Sequence, residues 1–220
     1  KFLYVEVDSY VYYNANFVGD LENLKTLVMS SLTTYASGTE LNKFGGRFKY
    51  SKVLSTIDGV DTAITSNITL VKMRRNLIAK IDQYAQYELC YLNQFYNPNS
   101  QYNVRSTGFN VASVVGTCYL SDSKVTETTG TLFLFQILED GTVKIISNTL
   151  GKIDYVKGEL ILDTINITGT LLPDNVIEVE AIPQSNDVLA KNELYLQFSV
   201  DKSDFYMRED SISTGANTSG

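Results

Sequence analysis

The run VDTAITSNITLVKM at residues 60–73 alternates apolar and polar side chains for longer than a strand of a compact domain usually lasts. Val60, Ile64, Ile68 and Leu70 fall on one face, and Asp61, Thr65, Asn67 and Thr69 fall on the other, the pattern of a half-buried strand. Fully extended, the run spans about 45 Å at ~3.3 Å per residue. It therefore either bends near Ser66 and Asn67 or carries the chain from one domain into the next. The residues before it read as a short extended piece at 47–50, then a helix at 51–58 with Ser51 as its N-cap and Val53, Leu54 and Ile57 on one side. Gly59 is expected to end that helix in the left-handed conformation.

Upstream, residues 2–13 alternate as one or two strands, with Leu3, Val5 and Val7 on one face. Asp20 caps a helix in which Leu21, Leu24, Leu27, Val28, Leu32 and Tyr35 recur at helical spacing, until Ser37-Gly38 stops it. The order strand, helix, short strand, helix, long strand predicts an α+β fold for residues 1–75, a helix pair on a small sheet, compatible with a ferredoxin-like layer. From there to residue 207 the chain reads as a β-rich sandwich or barrel-like domain. Its strands are expected at 86–93, 109–115, 118–120, 131–138, 143–147, 153–156, 159–167, 176–182 and 193–200. Asp140-Gly141 is read as a two-residue hairpin turn of the primed type, Lys157-Gly158 as a second turn, and residues 97–100 as a turn by composition. Residues 208–220 form a polar tail with nothing to bury.

Composition removes much enzymology. The chain contains no histidine, so no imidazole base, no Ser-His-Asp or Cys-His nucleophile and no His-containing metal site can be assembled from it alone. A net charge of −7 and a pI near 4.7 argue against a nucleic-acid surface, whose affinity rests on Lys and Arg. The two cysteines, Cys90 and Cys118, are too far apart for a CxxC pair and read as small apolar side chains. No apolar run approaches the ~20 residues of a membrane span, and the N-terminus lacks signal-peptide features. Asp58 and Asp61 lie close together in IDGVD but lack the alternating ligands and distal Glu of a calcium loop. No P-loop, dinucleotide fingerprint or nucleophile elbow is present, so an enzyme reading has no residues to name.

Three features remain as candidate contacts, one of them the polar C-terminal tail. Lys72, Arg74 and Arg75 form the densest basic cluster, an electrostatic dock for a negatively charged partner or else a solvated strand end. Tyr84, Tyr87, Tyr91, Phe95, Tyr96 and Tyr102 make an aromatic-rich segment. Strand alternation buries about half of such a set; the remainder favour a protein interface over a sugar site, because no matching group of Asp, Asn and Arg lies nearby.

At TELNKFGGRFKYSKVLSTIDGVDTAITSNITLVKMRRNL the chain resembles the large wedge proteins of T-even-type contractile-tail phage baseplates, within the wider baseplate J-like family. GKIDYVKGELIL at 151–162 is similar to a hairpin of those proteins, and NDVLAKNELYLQF at 186–198 to their C-terminal strand. Wedge proteins are longer, and this chain begins with Lys1 in mid-strand, so it is expected to be the C-terminal portion of such a protein. The resemblance implies a structural subunit of the virion tail baseplate, assembled in the host cytoplasm, without catalysis or cofactor. Its implied partners are a second copy of itself within a ring and other wedge proteins, with no nucleic acid, membrane or small-molecule substrate. The opposing expectations are a monomeric carbohydrate-binding or adhesin module using the aromatics as a sugar platform, and a carboxylate-dependent hydrolase. Self-association, saturable glycan binding and activity lost with one Asp or Glu separate the three.

Overall fold

The computed structural model describes residues 1–97, 99, 102–191 and 193–212. In chain order its elements are β1 (Phe2–Tyr13), α1 (Leu21–Ala36), β2 (Lys43–Phe44), β3 (Arg47–Phe48), α2 (Tyr50–Asp58), β4 (Ile64–Ile78) and β5 (Gln83–Cys90). There follow β6 (Arg105–Ser106), β7 (Phe109–Val111), β8 (Tyr119–Lys124), β9 (Thr129–Ile137), β10 (Val143–Asp154) and β11 (Glu159–Thr170). The last are β12 (Val176–Ala181), β13 (Val188–Leu189), β14 (Tyr195–Phe198) and β15 (Asp204–Glu209). About 50% of the chain is strand and 16% helix, so the expected α+β class with a helix-pair-on-sheet domain is corrected to a mainly β chain with several sheets. The helices fall where their spacing predicts. The expectation failed on the strands that join the sheets from far along the sequence.

Among the described residues two compact units result, one of residues 3–72 with those from 186 to 212, the other of those from 73 to 185. The expected division at residue 75 becomes a cut inside β4, and the chain after 185 returns to the first unit. β4 thus does carry the chain from one unit into the next, with no bend at Ser66 and Asn67 to break the strand. The turn expected at 97–100 and the tail at 208–220 lie partly outside the described residues.

In the first unit β2, β14, β1 and β4 are hydrogen-bonded in that order, β15 runs parallel to the second half of β1, and β13 pairs with β3. Leu3, Val5, Val7 and Val11 of β1 are buried, with Leu24, Val28 and Leu32 of α1 and Val53 and Ile57 of α2. Alternation and helical spacing therefore converge on one core. Asp20 caps α1 as expected, accepting from Glu22 N and Asn23 N at 3.0 and 3.2 Å. Ser51 does not cap α2. The cap position is Lys49, whose side chain makes no capping hydrogen bond, and the carboxylate of Asp187 accepts from Tyr50 N at 2.9 Å instead. Nor is Gly59 left-handed: its φ is −85°.

The face of β4 is the expected one at its start, where Ile64 is buried and Thr65 exposed, and the reverse of it from Ile68 on. Thr69 and Val71 are buried, whereas Ile68 and Leu70 are exposed by 63% and 45%. Here Val71 and Met73 go inward, and the hydroxyl of Thr69 is satisfied by Ser9 Oγ and Asn67 Oδ1, both at 2.7 Å.

In the second unit, residues 73–78 of β4 pair with β12, and β12 with β6. The larger sheet there is ordered β5-β11-β10-β9-β8, with β7 also on β11. Its turns are not the primed pair expected at 140–141. Leu138 N donates to Thr142 O, and Gly141 alone carries a positive φ, +81°, so three residues separate the paired positions. Gly158 is needed twice over: its φ is +68°, and a Cβ there would stand 1.9 Å from Asn93 O.

Candidate interaction surface

The basic cluster is spent inside the chain. Arg74 is buried, its guanidinium 2.9 Å from Glu178 Oε1 and donating to Asn76 Oδ1 at 2.5 Å. Both partners lie on or opposite the β4–β12 ladder, where Asn76 faces Glu178. Arg75, also buried, donates to Cys90 O at 2.5 Å. These two side chains supply internal ion pairing and backbone satisfaction, not the open electrostatic face expected of them. Lys72 belongs to the first unit and pairs with Asp8 at 2.9 Å while half-buried.

The strand runs at 83–90, three residues earlier than expected, so only Tyr84 and Tyr87 lie in it, and Tyr91, Phe95 and Tyr96 follow it. Tyr91 and Phe95 are fully buried, their rings 5.0 Å apart and edge to face. The Tyr91 hydroxyl donates to Val179 O at 2.6 Å, and burial is the main cause that pushes its pKa upward. Tyr87 accepts from Lys80 N at 3.0 Å. Tyr84 and Tyr96 remain exposed, by 76% and 44%. Of the nine residues singled out, Lys72, Tyr84, Tyr87, Tyr96 and Tyr102 thus retain solvent contact.

Beneath this segment lies a polar knot. Asp122 Oδ1 accepts from Asn103 N at 2.8 Å and Val104 N at 2.6 Å, and its Oδ2 accepts from Tyr155 Oη at 2.7 Å. Asn103 in turn accepts from Ile182 N at 2.6 Å and donates to Ile182 O at 3.0 Å. Four separate segments of the second unit are thereby tied through two buried side chains, every contact satisfied. Burial, with the bond to Asp122, raises the Tyr155 pKa.

Glu88, Cys90 and Glu159 bring their ligand atoms within 4.8 Å of one another. Burial first, then the hydrogen bond to Glu88, pushes the Cys90 thiol up to about 11. The thiol lies 3.2 Å from Glu88 Oε1 and 3.7 Å from Glu159 Oε1, within donating distance of both carboxylates.

Of a broader surface the sequence reading named Tyr102 alone. Tyr102, Val104, Arg105, Tyr119, Phe133, Phe135, Ile137, Val143 and Ile145 line an open trough of about 740 Å³. Tyr102 packs on Phe133 at 5.2 Å, Phe133 on Phe135 at 5.6 Å, and Tyr119 on Phe135 at 5.7 Å. The signal was present in TLFLFQIL at 131–138, which is apolar on both faces where a half-covered strand would alternate.

No curated protein matches the chain. Residues 1–76 match the family model described as baseplate structural protein gp6, C-terminal domain III. That match supports a structural protein of a phage tail baseplate, located in the virion among other baseplate proteins with which it interacts.

Proposed function

We propose that the chain is a wedge subunit of a contractile-tail baseplate, that it associates with copies of itself and with other wedge proteins in the inner ring, and that it acts without catalysis. The observation that carries this reading is the match of residues 1–76 to a baseplate structural domain. Three further features support it. The absence of histidine removes the commonest acid–base group. The resemblance to wedge proteins extends to 151–162 and 186–198, beyond the matched residues. Contiguous aromatic and aliphatic side chains stand open to solvent on the second unit, as protein contacts require. Lys72, Tyr84, Tyr87 and Tyr96 are proposed as secondary contacts.

Light scattering across a concentration series, alone and with candidate wedge proteins, tests the reading. The expected result is a mass rising above the 24.5 kDa of one chain, or a defined complex with those proteins. A strict monomer that ignores them at high concentration overturns it, and a glycan screen then tests the binding-module alternative.

A further inference from the structure

We infer that the outer face of β8, β9 and the distal half of β10 is the surface on which a second copy of this chain docks, in a two-fold arrangement that sets Arg105 of each copy against Glu139 of the other. The inference rests on the self-association proposed above and names the surface that mediates it.

The odd-numbered side chains of β9 supply the face. Leu132, Leu134 and Gln136 are buried on the opposite side, while Phe133, Phe135 and Ile137 look into the trough. Ladder register extends this into rows across three strands: Tyr119 stands opposite Phe135, which stands opposite Ile145, and Ile137 stands opposite Val143. Ile137, Val143 and Ile145 are 54%, 59% and 44% exposed. Scattered apolar side chains on a surface need no explanation, but contiguous rows on neighbouring strands do.

Charge identifies the occupant. Arg105 is the one charged residue lining the trough, and it forms no ion pair among the described residues. It sits level with Leu120, whose N–H donates to the neighbouring Ser106 Oγ at 2.8 Å, and Leu120 stands opposite Leu134. At the other end of the same hairpin lie Glu139 and Asp140. Asp140 is engaged locally, accepting from Thr142 N at 2.9 Å and Thr142 Oγ1 at 2.7 Å. Glu139 is the exposed carboxylate left over. From Leu134 to Glu139 is about 17 Å at ~3.3 Å per residue. A two-fold axis lying in the plane of the face, midway between these points and perpendicular to the line joining them, lays the apolar rows of the two copies on each other and brings each cation to the other copy's anion. An isologous contact requires a patch that carries its own complement, and this one has a cation at one end and an anion at the other.

Light scattering of the full chain as wild type, Arg105→Glu, Glu139→Arg and an equimolar mixture of the two variants tests the pairing. Each variant alone faces like charges across the axis, and its dissociation constant is expected to rise about tenfold or more. In the mixture every contact again joins opposite charges, and association is expected to return to within about threefold of wild type. Val143→Ser is expected to weaken association as well, through lost apolar contact. If the wild type associates and neither charge variant weakens it, or if mixing restores nothing, this face is wrong while self-association stands. If the wild type stays monomeric throughout, the proposed self-association fails and the docking face with it.

Discussion

In the first unit Asp8 of β1 stands opposite Asp204 of β15, whereas in the second Thr129 of β9 stands opposite Asp154 of β10. Both are hydrogen-bonded ladders of similar side chains, yet one closes across most of the chain and the other within a hairpin. Further ties in the first unit have the same reach: Val7 N donates to Ser203 Oγ at 3.0 Å, and Tyr195 N to Lys1 O at 2.9 Å. The second unit builds β8, β9, β10 and β11 by successive antiparallel neighbours. Long closures gain their contacts only after the connecting chain has lost its entropy, so the first unit depends on its last residues while the second assembles from local pieces.

The largest expected effect breaks that contrast directly. A chain ending at residue 185 loses β14 and β15 with buried Leu196, Phe198 and Phe205. Each such side chain is worth ~2–5 kcal/mol, together comparable with the whole ~5–15 kcal/mol stability of a typical domain. Limited proteolysis is expected to cut α1 rapidly in the shortened chain while β8–β11 stay resistant. Persistent protection of α1 would refute the dependence.

The same contrast explains what the sequence made legible. Helical spacing from Leu21 and the cap at Asp20 are local signals, as are the alternation at 159–167 and the turn at Gly158, and each is found where it was expected, while Gly141 marks a turn of another length than the one expected. The parallel pairing of β15 with β1 has no local signal at all, and without it the first unit reads as more helical than it is. The face of β4 was misjudged for a related reason. Ile68 and Leu70 are the more apolar pair, but Thr69 finds Ser9 from a strand sixty residues earlier, and that partner cannot be seen in the run itself. At the candidate surface, Arg74 and Arg75 read as exposed charge because their acceptors, Glu178 and the Cys90 carbonyl, lie on other strands.

Arg74→Ala is the next largest change. It leaves Glu178 without its buried cation and is expected to cost ~3–5 kcal/mol in urea unfolding, with the loss confined to the second unit. An effect below ~1 kcal/mol would return Arg74 to the surface. Asp122→Ala strips the acceptor from Asn103 N, Val104 N and the Tyr155 hydroxyl, for an expected ~2–3 kcal/mol, while the first unit keeps its protection against hydrogen exchange.

The smallest effect is chemical. The Cys90 thiol is raised from its ordinary value of 9.0 to about 11, so the unfolded chain loses this proton first. The stability it contributes is therefore complete below pH 9 and is lost as the pH climbs through 11. At pH 8 the native thiol is expected to alkylate about 100-fold more slowly than the same thiol in urea, followed by mass spectrometry of its peptide. Equal rates would mean that Glu88 and Glu159 do not hold it.

Hydrogen exchange of the whole chain at low and high concentration tests the central claim most directly, because it reports both whether copies meet and where. The prediction is that amides at 133–145 and 102–106 exchange more slowly as concentration rises, with α1 and β1 unchanged. Protection appearing at Tyr84 and Tyr96 instead, or at no residue, would contradict the account.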